Sequence, residues 1–132
     1  MCSFIMLSHL ALLGLALRIL VAAQSYQLHN ADQQSLPGAD DACLSAYNAN
    51  VTCPDEVGWL FGNPYQDLSA STLHSLCASS CRQSLKAHQD DIQSQCSNGT
   101  QYYDALGRTS YLPTMSDDEL LFAYDVACSK RS

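Results

Sequence analysis

The chain is short of positive charge. Six Lys and Arg stand against thirteen Asp and Glu in 132 residues, a formal charge of −7, which argues against nucleic acid or an anionic membrane surface as the partner. Beyond Ala23 there is no apolar run of the roughly 20 residues a bilayer span requires, so no stable membrane insertion is expected of the remainder. Tryptophan occurs once, at Trp59. Catalytic apparatus is missing too. Nothing sets a nucleophile, a base and an orienting group in recognisable context, so neither enzyme activity nor a cofactor is expected.

The apolar run that is present is Met1–Ala23. It ends in small residues, with Val21 and Ala23 at the −3 and −1 positions of a signal-peptidase site, and Arg18 interrupts it, which favours a cleaved signal peptide over an anchor. Secretion is therefore expected, with 1–23 as signal peptide and a mature chain beginning near Gln24. Cys2 leaves with the leader, and six cysteines remain: Cys43, Cys53, Cys77, Cys81, Cys96 and Cys128. An even number in a short exported domain reads as a disulfide framework, because so small a core is marginal without cross-links. Three bridges would each add on the order of 3 kcal/mol.

Leu73–Cys96 is the expected spine. Leu76, Cys81, Leu85, His88, Ile92 and Cys96 recur at helical spacings and define an inward face, while Arg82, Gln83, Lys86, Asp90 and Gln93 fall mostly opposite. The segment reads as one helix, or as two joined near Ser79-Ser80. Residues four apart on a helix hold their Cβ atoms roughly 5–6 Å apart, whereas a disulfide needs about 3.8 Å. Cys77 and Cys81 are therefore not expected to pair with each other, and the remaining connectivities stay open. His74, Cys77 and Cys81 have metal-ligand spacing, but thiols in an oxidising compartment form disulfides, and no metal is expected.

Residues 24–39 read as a mobile polar lead-in, with Pro37-Gly38 as a breaker and His29 as a solvated side chain. A cysteine-rich helical domain is expected over 40–132, its first helix capped by Asp40 or Asp41. Asn50-Val51-Thr52 and Asn98-Gly99-Thr100 are N-glycosylation sequons. Trp59, Phe61 and Tyr65 crowd one Pro- and Gly-punctuated stretch. Trp59 is expected to fill the core, with a sugar-stacking platform of these three aromatics as the alternative. Gln101–Thr114 reads as a loop packed by tyrosine rings. Ser116 and Glu119 form a capping box for a last helix that buries Leu120, Leu121, Tyr124 and Cys128. The fold class is mainly α: a small disulfide-stapled helical domain with long loops.

The cysteine order, Cys43-x9-Cys53-Pro54, x23, Cys77-x3-Cys81, x14, Cys96, x31, Cys128, resembles the cysteine-rich helical region that accompanies LysM modules in secreted fungal proteins. That resemblance implies a secreted, non-enzymatic protein acting at the fungal cell wall or host interface, linked to chitin or other carbohydrate, with a cell-wall polysaccharide or a host protein as partner. Chitin is bound by the LysM modules in such proteins, and no LysM-like repeat is seen here, so no ligand residue carries over. A second likeness, to the elicitins, implies a small lipid or sterol carrier and the pairs Cys43–Cys96, Cys53–Cys81 and Cys77–Cys128.

Overall fold

The computed structural model describes residues 24–61, 67–77, 79–96, 101–103 and 110–129. Leu28, His29 and the rest of the first stretch follow β1 (Tyr26–Gln27) and lead into α1 (Asp41–Tyr47). Asp40 starts α1 by accepting the Cys43 N–H at 2.9 Å, which satisfies one of the amides a helix start leaves unpaired. β2 (Asn50–Val51) and a 3-10 helix (Asp55–Leu60) follow, then α2 (Ala70–Leu76), α3 (Ser79–Gln95), β3 (Tyr102–Tyr103), β4 (Ser110–Tyr111) and α4 (Met115–Ser129). Helix dominates, and each two-stranded antiparallel sheet is only two residues wide, with Tyr26 opposite Val51 and Tyr102 opposite Tyr111.

The spine is two helices. Ser69 caps α2 through the Thr72 N–H, and Cys77 ends it. Ser79 and Ser80 lie inside the first turn of α3, so the break falls just before the serine pair. At 17 residues, α3 is about 25 Å long, and its buried positions Cys81, Leu85, His88, Gln89 and Ile92 form one stripe at the expected helical period. Cys81 and Leu85 pack in a cluster with Val57, Leu60, Leu76, Leu120 and Tyr124. Ile92 packs in a second cluster with Leu36, Cys43, Ala46 and Tyr47. One helix face thus serves two cores.

The disulfides are Cys43–Cys96, Cys53–Cys81 and Cys77–Cys128, closing separations of 53, 28 and 51 residues. Loops of that size restrict the unfolded chain by an amount on the order of 4 kcal/mol each. They tie α1 to the far end of α3, the segment after β2 to its near end, and the end of α2 to the end of α4. The pairs match those implied by the elicitin likeness. α4 runs antiparallel to α3, since Arg82 meets Asp125 while His88 meets Asp117, and the Tyr124 hydroxyl donates to the Leu76 carbonyl at 2.8 Å.

Several expectations are corrected. The lead-in is packed: β1 pairs with β2, the Asn48 side chain both accepts from the Ala31 N–H and donates to the Ala31 carbonyl at 2.7 and 2.8 Å, and Leu36 is fully buried. Its polar composition hides these tertiary anchors. The end of the turn at Gly38, with φ +85°, needs glycine's freedom. Gln101–Thr114 contains the β3–β4 pair where a loop was expected. α4 starts at Met115, so Ser116 lies in its first turn instead of capping it. Gly58 faces the Tyr26 ring, and a Cβ there would stand 2.9 Å from Tyr26 Cζ, so the close approach of the 3-10 helix to β1 requires glycine. Among the described residues, no helix is long and apolar enough to cross a membrane.

Candidate functional site

Between the two apolar clusters lies a buried polar group assembled from three separate elements. His29 comes from the segment after β1, His88 from the middle of α3 and Asp117 from the first turn of α4. His29 Nε2 is 2.7 Å from Asp117 Oδ1, and His88 Nδ1 is 2.8 Å from Asp117 Oδ2. An ionised carboxylate only accepts, so both imidazoles donate. The side chains of His29, His88 and Asp117 are 10, 2 and 3% exposed. His29 is further held by stacking on Tyr47 at a ring-centroid distance of 4.2 Å and by an edge contact with Phe61 at 5.8 Å. Beside the group, the Gln89 amide donates to Asp118, a second polar tie from α3 to α4.

Burial pushes the Asp117 carboxyl up, but the hydrogen bonds from His29 and His88 pull it down and prevail, leaving it below the ordinary carboxylate value and ionised in the interior. His88 Nε2, on the side of the ring away from Asp117, is buried and has no hydrogen-bond partner among the described residues. An Asp–His pair of this kind can orient an imidazole as a base. Here the ring is buried, so it offers solvent no base. The three donor atoms lie within 4.8 Å of one another, and His29 lines a small cavity of about 230 Å³ with Leu28, Asn30, Ser35 and Tyr47.

His29 therefore differs from its reading as a solvated side chain, whereas His88 lies on the inward face where its spacing placed it. His88 did carry a signal, standing seven residues after Cys81 and four before Ile92 on the inward stripe. Asp117 likewise precedes Leu120 by three and Tyr124 by seven. His29 had none, because its position depends on strand pairing and on Asn48. His74 does not join a metal site with Cys77 and Cys81, since both thiols are in disulfides.

Trp59, expected in the core, is 53% exposed. The 3-10 helix turns Val57 and Leu60 inward in its place, while Phe61 packs against the first cluster and meets His29. Tyr65 lies outside the described residues. Asn50 is exposed on β2, and Asn98 lies outside the described residues. A broad depression of about 810 Å³, lined by Ala31, Leu44 and Ala49 together with Asp32, Asp41 and Asn48, lies open to solvent instead of enclosed as a sterol cavity would be.

Helices held by three bridges around a buried His–Asp–His group define a small disulfide-stapled helical domain. Residues 24–132 match the secreted LysM effector N-terminal domain, and the chain belongs to that family. It is 30% identical over 110 residues to the non-secreted LysM effector LCP1 of Gibberella moniliformis, an alignment covering 80% of this chain and 14% of that protein. The chain thus spans a small part of that relative's length. No solved structure matches the chain.

Proposed function

We propose that the protein is an extracellular, non-enzymatic member of the LysM effector class that works at the fungal cell wall or the host interface, with Trp59 as its contact to chitin or a related N-acetylglucosamine polymer. The observation that carries this reading is the family match over 24–132, which begins where the leader is expected to end. The solvent-facing indole of Trp59 supports it, because an exposed aromatic face stacks on the apolar face of a sugar ring. Export through an oxidising compartment accounts for six cysteines closed in three bridges. Glycan at Asn50 and Asn98 belongs to the same reading, and Asn50 is on the surface. The pelleting of the folded protein with insoluble chitin tests the proposal. The wild type should sediment with the polymer, and Trp59→Ala should reduce the bound fraction at least about tenfold, the loss of about 1.4 kcal/mol. Wild-type protein left in the supernatant would overturn the carbohydrate contact.

A further inference from the structure

We propose that His29, His88 and Asp117 form a binding site for one divalent transition ion of the zinc class. Three donors, two imidazole nitrogens and a carboxylate, converge within 4.8 Å of one another, and their side chains are 10, 2 and 3% exposed. Zinc sites with three protein ligands use this donor set, at bonds of about 2.0–2.2 Å. Tetrahedral placement at those lengths sets donor atoms about 3.4 Å apart. The present 2.7 and 2.8 Å separations are hydrogen-bond lengths, so each must open by about 0.6 Å to take the ion. His29 can open its own pair by a shift of its irregular segment, whereas the His88–Asp117 pair must open by rotation of the two side chains on their helices.

Binding through His29 Nε2 and His88 Nδ1 requires each of these nitrogens to give up its proton, so that the ring N–H of a bound imidazole stands on the opposite nitrogen, Nδ1 of His29 and Nε2 of His88. The carboxylate, already ionised, binds as it stands. Three protein ligands leave the fourth tetrahedral position to water. Two nitrogens and one oxygen suit zinc or copper and suit magnesium poorly. The acidic balance of the chain, −7 overall, favours the approach of a cation. The ligands come from positions 29, 88 and 117, so the ion would act as a fourth staple across the N-terminal segment, α3 and α4.

The test uses chelator-stripped, disulfide-intact protein titrated with ZnCl2, with MgCl2 as control. One zinc per chain should survive gel filtration by elemental analysis, and the melting temperature should rise by at least about 3 °C at saturating ion. His29→Ala and His88→Ala should each weaken zinc at least tenfold. His74→Ala, which replaces a histidine of α2 outside the group, should leave the zinc affinity as it is. If His88→Ala does not fold, His29→Ala and the visible absorption of the Co2+-substituted wild type decide, an intense tetrahedral band being expected. No retained zinc, or equal affinity in wild type and His29→Ala, would overturn the site and leave the three residues as a hydrogen-bonded tie or the ion as adventitious.

Discussion

Arg82–Asp125 and His29–Asp117–His88 both fasten α3 to α4, at successive points of the same antiparallel pair, yet they differ in the medium around them. Arg82 reaches Asp125 with two parallel bonds of 2.8 Å, while the side chains stay 55 and 47% exposed. Water and salt compete for that pair, so that even its bidentate geometry leaves an attraction that added salt screens. The histidine group has bonds of the same length but almost no solvent contact, so nothing replaces a partner that is removed. Similar distances therefore carry different consequences. Burial is the variable.

The sharpest way to break this contrast is Asp117→Ala, which leaves two buried imidazole N–H groups unpaired. A loss of about 3–5 kcal/mol is expected, seen in denaturant unfolding of the disulfide-intact protein. A loss no larger than that of a surface substitution would mean the group is far wetter than its burial indicates.

Acid attacks the same tie by protonation. The folded-state value of Asp117 lies below that of the unfolded chain, so its contribution is complete above about pH 4 and disappears as the pH falls through the depressed folded value. Asp125 is lowered as well, first by its hydrogen bond from Arg82, and so has the same sign. Salt separates the two. Urea midpoints followed from pH 5 to pH 2 should retain their acid slope in 0.5 M NaCl, about five times the ionic strength at which the Debye length is near 10 Å, and should lose most of it in Asp117→Asn.

The smallest effect is expected of Arg82→Ala, a shift in melting temperature close to measurement scatter and vanishing with added salt. A large, salt-resistant drop would place Arg82 in a network that its exposure does not indicate.

Much of the fold was legible because helix periodicity and caps are local. The inward stripe of α3, a cap for α1 at Asp40 or Asp41, and the inward positions Leu120 and Tyr124 of α4 follow from local pattern, whereas the buried Ala123 and Ala127 do not. What misled was composition used in place of contact. The 24–39 segment is polar, yet Leu36 and the paired bonds of Asn48 to Ala31 hold it in place. A lone tryptophan in a small domain usually fills the core, yet here the 3-10 helix places Val57 and Leu60 there and leaves Trp59 outside.

By itself the sequence determined that this is a cysteine-rich helical domain of the LysM-associated type, since cysteine order and apolar spacing are properties of the chain read along its length. Only the tertiary structure decided that His29, His88 and Asp117 meet. Positions 29, 88 and 117 belong to three elements, and their meeting depends on a strand pair, an antiparallel helix register and two packed cores acting together. No local pattern encodes such a convergence, because the energy that holds it arises from excluding water around all three side chains at once.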